Sequence, residues 1–370
     1  RLLGLLPAWG QPRHRPGTCD FKTTCGLGAR REGTARVNDI VTLAQGAGGT
    51  QTSELIERIF RRHLANPDLT EDDAAVLAVP AGRLALSTDG FIVSPAFFPD
   101  GNVGKLSVCG TVNDVACMGA KPLYLTCAFQ IEEGLPVADL ERIVASMGEA
   151  AREAGVRVVA GDTKVAGRGQ VDGVFITTTG VGLVRAGASP SGSHAEPGDA
   201  VVVTGDVGRH GCAILLARDA YGIEADVTSD CAPLTAAVEA SLDAVPDIHT
   251  IRDATRGGVG TVLYEIARQS AVGVRLDATA VPVAPEVAGV CGMLGLEPLY
   301  LACEGRLVMI CPAAEADRLV RTLRGCPHTE GAVVIGHITD ELPGRVVMDT
   351  EIGTQTILPE PGNELLPRIC

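Results

Sequence analysis

Residues 123–164 read LYLTCAFQIEEGLPVADLERIVASMGEAAREAGVRVVAGDTK, and this stretch decides the fold class. The apolar run 123–131 reads as a strand. Pro136 suits the first position of a helix, which continues to about Ala154. Residues 156–160 return to strand and close on Gly161-Asp162-Thr163-Lys164. Strand, helix, strand, with an acid at the second strand's C-terminal end, is the grammar of an α/β sheet that binds ligand at that end.

Reading outward, the same grammar recurs. Upstream lie a helix at 103–118, short strands at 74–79 and 84–87, and a helix at 54–65 that Ser53 is placed to cap. Leu55, Ile59 and Leu64 fall on one side of it. Downstream, 174–184 reads as a strand, and the Gly, Ser, Pro and His loop 187–198 marks a domain boundary. Beyond it follow a strand at 200–204, helices at 212–221 and 234–244, a strand at 248–252 and a helix at 259–270. Residues 39–186 and 198–349 are therefore two α/β domains of similar size. Residues 1–38, Arg- and Gly-rich and without sustained periodicity, are expected to be a disordered extension. Residues 350–370 are expected to be a mobile tail.

Composition narrows the function classes. A chain of 370 residues with 46% hydrophobic content and mean hydropathy +0.21 builds two real cores. A net charge of −14 argues against nucleic acid and against an anionic membrane surface. The 12 cysteines form no CxxC pair and no zinc spacing, so they read as free thiols of a reducing, cytoplasmic compartment. No apolar run approaches membrane-spanning length.

Several motifs carry chemistry. Gly46-Ala47-Gly48-Gly49 precedes a helix, where bare backbone N–H groups can approach a phosphate; a plain loop is the other reading. Asp72-Asp73, Asp89 in Ser87-Thr88-Asp89-Gly90, Asn113-Asp114 and Asp162 stand at turns, at strand ends or on a helix. Each alone also reads as a turn or cap; their recurrence favours one oxygen-rich site for Mg²⁺. Lys164 beside Asp162 is either a phosphate neutraliser or a solvated loop lysine. Asp253-Ala254-Thr255-Arg256-Gly257-Gly258 opens a helix as a second anion site or a simple turn. Glu304, in Cys303-Glu304-Gly305-Arg306 between apolar runs, is a base of raised pKa or a turn residue. His210 begins a helix. Cys370 follows Leu358-Pro359-Glu360-Pro361-Gly362, a stretch unsuited to regular structure, and from about Met348 such a strap reaches roughly 70 Å at ~3.3 Å per residue.

Taken together, these motifs, with Gly104-Lys105-Leu106, Gly110-Thr111-Val112-Asn113-Asp114-Val115-Ala116 and the closing Pro367-Arg368-Ile369-Cys370, resemble the HypE family of hydrogenase maturation proteins, within the PurM-like ATP-dependent superfamily. The resemblance covers about residues 40–370. It implies a two-domain PurM-like α/β (α+β) fold whose N-terminal domain pairs with a second copy through a β-barrel, a homodimer. It implies that a HypF-type carbamoyltransferase loads Cys370, that ATP with Mg²⁺ drives dehydration of the carbamoyl group to a thiocyanate, and that the cyano group passes to iron on a HypC–HypD complex. It implies Cys370 as carrier, Glu304 as base and Lys164 as orienting or charge-stabilising residue. Gly48, Gly49, Asp89, Asn113, Asp114, Thr163 and His210 would contact ATP, and Asp73, Asp89 and Asp162 would hold the metal. Gln45, Arg209, Cys303 and Arg306 depart from the family's usual His, Asp, Asn and Lys. Selenophosphate synthetase and thiamine-monophosphate kinase share the acidic motifs but not this tail. A non-catalytic scaffold presenting Cys370 would not need the acids.

Overall fold

A computed structural model describes residues 40–47, 49–70, 74–219 and 221–360. The extension expected at 1–38 lies outside them, as do Gly48, Asp73 and Cys370. Gly49 opens α1 (Thr50–Leu55), which runs through a π-helical stretch at Ile56–Arg61 into α2 (Arg62–Leu64). Ser53 is therefore inside the helix and not its cap. Its N–H and that of Thr52 both donate to Gly49 O, at 3.1 and 2.9 Å. Leu55, Ile59 and Leu64 are buried, as their spacing requires. Residues 74–79 form no strand, and Val76 is 97% exposed there.

The first sheet follows. β1 (Leu84–Phe91) leads through the small hairpin β2 (Phe97–Phe98) and β3 (Gly101–Asn102) into α3 (Val103–Cys117). Then come β4 (Ala120–Glu132), α4 (Val137–Ala154), β5 (Arg157–Ala166) and β6 (Val174–Val184). The order is β1-β6-β4-β5, antiparallel except for the parallel pair β4 and β5 that α4 connects. Pro136 caps α4 from outside the first turn, and Gly155, at φ +70°, ends it. β5 runs past Ala160, so Gly161-Asp162-Thr163-Lys164 lies within an edge strand and not beyond its end. One face of the sheet packs under α3 and α4. The other is half-open, with Leu84 and Leu86 48% and 67% exposed.

The second domain runs β7 (Asp199–Val203), α5 (Arg209–Ala217), α6 (Thr235–Ala244), β8 (Thr250–Asp253), α7 (Gly258–Gln269), β9 (Gly273–Asp277), α8 (Pro285–Leu294), β10 (Leu307–Pro312), α9 (Ala316–Arg324), β11 (Val333–Thr339), β12 (Val346–Asp349) and β13 (Gln355–Ile357). Its seven strands are ordered β13-β12-β9-β11-β7-β10-β8. Residues 350–360, expected in the tail, instead belong to this fold. β13 pairs with β12, and Leu358 is buried with its N–H donating to Val346 O at 2.9 Å. No helix among the described residues is long and apolar enough to cross a membrane.

α3 is the element both domains share. Nearly all of it is buried, because its small residues let the sheet, α4 and the second domain close on every side. Asn102 caps it, accepting from Gly104 N at 2.9 Å and Lys105 N at 3.2 Å. At Gly104 an added Cβ would stand 2.1 Å from Ile143 O on α4. Gly104→Ala is expected to lower the unfolding free energy by about 1–3 kcal/mol through overpacking. The measurement is the urea midpoint at unchanged slope; a wild-type midpoint would show that the α3–α4 crossing yields without cost.

Candidate active site

Between the domains, acids from four elements face one crevice. Asp114 on α3 accepts the Ser87 hydroxyl at 2.5 Å. Burial holds its carboxyl above the usual carboxylate range, and the charge of Asp89 on β1 adds to this. Asp253, at the end of β8, hydrogen-bonds Asp114 across the domain boundary. Burial, then the Asp114 charge, pushes Asp253 up to about 7. Glu304 is 7% exposed and raised well above the ordinary range, first by burial and then by Cys231, Asp253, Asp230 and Asp89.

Local backbone fixes Glu304. Its N–H donates to Asp230 Oδ1 at 3.2 Å. The next residue must be glycine, since a Cβ at Gly305 would stand 1.8 Å from Asp230 O. Arg306 pairs with Asp206 at 2.8 Å and lies 3.9 Å from Asp230 Oδ2. Cys303 turns inward, where its sulfur accepts Gly208 N at 3.1 Å and burial raises its thiol.

A second feature lies at the free edge of the first sheet. The glycine loop packs on β5, where a Cβ at Gly46 would meet Val165 at 2.8 Å. Beside it is a cleft of about 550 Å³ lined by Thr52, Ser53, Phe60, Gly161, Asp162 and Thr163. That volume suits a nucleotide-sized ligand. Asp162 and Thr163 thus meet here the first helix, which Gly49 opens. Thr70 and Ala75, which line the same cleft, flank the segment that holds Asp73. Lys164 is exposed, with its ammonium 3.4 Å from Asp162.

The two features do not merge within one chain. β1 and β5 are opposite edges of the sheet, three strand spacings or about 14 Å apart. Register puts Asp89 opposite Thr178 and Asp162 opposite Ala128, itself opposite Thr177, so Asp89 and Asp162 sit on opposite faces. Lys164 shares the face of Asp162, away from Glu304. The expected set of Asp73, Asp89 and Asp162 is therefore not assembled among the described residues, where no three His, Cys, Asp or Glu side chains are placed to cage a metal. His210 does not line the crevice either. It is fully buried, bonded to Ser229 Oγ at 2.8 Å, packed on the edge of Phe98, and pushed down to about 3 by burial. It is a neutral packing residue in this arrangement. Sequence reading missed Asp230, which no local signal marks. The Asp253 turn, read from sequence as either an anion site or a simple turn, contributes its carboxyl to the acids of the crevice.

The donor chemistry fits a hard cation, since Asp89, Asp114 and Asp253 bring to one crevice carboxyl oxygens that Arg252 offsets only in part. With fewer than three converging ligands, the fit is to Mg²⁺ arriving with phosphates, not to a prebuilt cage.

Family models for the AIR synthase related protein match residues 71–184 (N-terminal domain) and 196–349 (C-terminal domain). The carbamoyl dehydratase HypE of Azotobacter vinelandii is 48% identical over 334 residues, covering 90% of this chain and 98% of that protein. The crystal structure of hydrogenase maturation protein HypE in complex with ATP superposes with TM-score 0.85 at 48% identity, covering 89% of this chain and 99% of that one. The chain in a HypE–HypF complex superposes at 0.74 with 43% identity, covering 83% of this chain and 99% of that one.

Because the folded pKa of Asp253 is raised, the native state keeps a proton that the unfolded chain has lost between about pH 4 and about pH 7. Stability therefore falls as pH rises through that window. Asp253→Asn is expected to be more stable than wild type near pH 8, by up to about 4 kcal/mol, with the difference shrinking toward pH 4. Urea unfolding at both ends of the window measures it; equal stability at both would mean the carboxyl is not held protonated.

Proposed function

The chain belongs to the HypE family of carbamoyl dehydratases, and we propose that it dehydrates a carbamoyl group carried on Cys370 to a thiocyanate at the expense of ATP. The observation that carries this reading is Glu304: a carboxyl of raised proton affinity, buried at the domain crevice, with its backbone pinned by Asp230. Dehydrating an amide requires its oxygen to leave, and oxide leaves poorly. Transfer of the γ-phosphoryl group of ATP to that oxygen converts it to phosphate, while the nitrogen gives up its two protons and becomes a nitrile. Sulfur stays bonded to carbon throughout.

Each residue then has a task. ATP occupies the edge cleft, with phosphates toward Gly48, Gly49 and Thr163, and Lys164 offsets charge on that side. Mg²⁺ arriving with the phosphates would be held by Asp73 and Asp162 on the cleft side, with Asp89 brought in only by closure of a dimer, and would supply charge neutralisation for phosphoryl transfer. Asp114 and Asn113 shape the crevice wall, and Glu304 takes a proton from nitrogen. The separation of Asp89 from Asp162 in one chain and the half-open face carrying Leu84 and Leu86 both support a homodimer closed through that face. A HypF-type carbamoyltransferase would load Cys370, and an iron-bearing HypC–HypD complex would receive the cyano group. The nine described cysteines, all free thiols, support a reducing compartment, the cytoplasm.

Incubation with an active carbamoyltransferase, carbamoyl phosphate, ATP and Mg²⁺, followed by mass spectrometry of the Cys370 peptide, should find a carbamoyl adduct that loses one water. Glu304→Gln should still be carbamoylated and bind ATP, yet convert about 10²- to 10⁴-fold more slowly. Chelating the divalent cation should stop conversion. An unmodified peptide from the wild type would remove Cys370 from the carrier role.

A further inference from the structure

The backbone around Glu304 is held on both sides. Its N–H donates to Asp230 Oδ1 at 3.2 Å, and its C=O accepts Ala232 N at 3.4 Å. Before it, Cys303 N donates to Ala254 O at 3.0 Å; after it, Gly305 O accepts Arg306 Nη1 at 2.8 Å. Two of these partners, Asp230 and Ala232, lie on the loop that leads into α6. That loop is braced in turn. Ser229 N donates to Pro99 O of the first domain at 3.0 Å, and Ser229 Oγ accepts Cys231 N at 3.0 Å. The same hydroxyl bonds Nδ1 of His210, buried at the start of α5, at 2.8 Å. The residues on either side of Asp230 are thereby fixed.

Asp230 is an odd acid to find in a stable core. Its side chain is wholly out of water, and Oδ2 has no hydrogen-bond partner among the described residues. The Arg306 guanidinium stands 3.9 Å from Oδ2 but directs its N–H groups elsewhere. Nε and Nη2 donate to Asp206, at 3.0 Å to its backbone oxygen and 2.8 Å to Oδ1. Nη1 donates to Gly305 O and to His328 O, the second at 3.2 Å. A buried carboxyl left half-bonded lowers stability, so its retention calls for a reason. Its one bonded oxygen serves Glu304.

We propose that Asp230 is a positioning residue for the dehydration step. Braced by Ser229 and His210 on one side, and faced by the Arg306–Asp206 pair on the other, its carboxyl fixes the backbone of Glu304. It thereby sets the line along which that side chain meets the amide nitrogen. The proposal rests on Glu304 being the base. It gives the buried, neutral His210 a task beyond packing, since His210 acts through Ser229 on the loop that presents Asp230. A displacement of about 1 Å in a reacting group costs up to about 10²-fold in rate, so a brace this remote still bears on the chemistry.

The test uses the full chain, carbamoylated by its partner enzyme and given ATP and Mg²⁺, with thiocyanate formation followed by mass in a single turnover. Asp230→Ala should convert about 10- to 100-fold more slowly, with ATP affinity and Cys370 carbamoylation unchanged. Asp230→Asn keeps an oxygen for the Glu304 N–H and should recover most of that loss. Ser229→Ala loosens only the brace; it should slow conversion in the same direction by less, and it carries the test where Asp230→Ala does not fold. Equal loss in the Ala and Asn variants would make charge, not position, the contribution of Asp230 and would overturn the proposal. Wild-type conversion by Asp230→Ala, or by Ser229→Ala where the first does not fold, would overturn it too. Glu304→Gln run alongside separates the two readings. Its conversion at the wild-type rate would remove the base itself, whereas its slow conversion beside a normal Asp230→Ala would remove the positioning role alone.

Discussion

The side-chain amide of Asn113 joins the two domains. Its Nδ2 donates to Ala232 O at 3.0 Å and its Oδ1 accepts Leu234 N at 2.8 Å, both out of water. An α3 side chain thus completes the backbone bonding of a loop in the other domain, where an unpaired N–H or C=O would cost about 1–3 kcal/mol each. The site depends on this joint. Asp114, the next residue, meets Asp253 because the joint sets the register of α3 against the end of β8. The same loop carries Asp230, whose carboxylate receives the N–H of Glu304. One amide therefore orders both walls of the crevice.

That order has an electrostatic cost. Burial raises the proton affinity of Asp114, Asp253 and Glu304; the charge of Asp89 adds to this at Asp114 and Glu304, that of Asp114 at Asp253, and that of Asp253 at Glu304. Arg252 offsets part of it at Asp114 and Asp253, and Arg306 part at Asp230. A fold optimised only for stability would not gather carboxyls this way. The crowding would suit the proposed reaction, in which a cation and a phosphoryl group arrive and leave, because it would supply attraction for the first and a proton acceptor for the amide nitrogen.

How far the sequence revealed this depends on whether the deciding contact was local. β6 occupies the residues its alternation indicates, and α4 stops at the glycine that a left-handed residue requires. β5 was read short because Gly161-Asp162-Thr163 has turn composition, which an edge strand tolerates on its free side. Ser53 looked like a cap, yet Gly49 supplied the carbonyl first. Glu304, Asp89 and Asp114 were readable from acids set among small or apolar neighbours. His210 begins α5 as its position indicates, but its burial could not be read, because its surroundings, Phe98 and Ser229, come from distant segments. The same holds for residues 350–360. Their Pro and Gly content argues for a free strap, while Tyr264 and Tyr300, 94 and 59 residues away from their partners, tie it down.

The separation of the edge cleft from the crevice also bears on why the substrate would travel on a strap. A crevice that keeps Glu304 at 7% exposure has little room for a freely diffusing small amide to be captured and aligned. Covalent attachment removes that requirement, since a tethered group meets the base at an effective concentration set by tether length, not by its own binding contacts. The acids then need no substrate pocket of their own. They need only burial and a route in. The bond from the Tyr300 hydroxyl to Pro359 O ties the last described residues to the loop that presents Glu304, so any shift of that loop would carry both together.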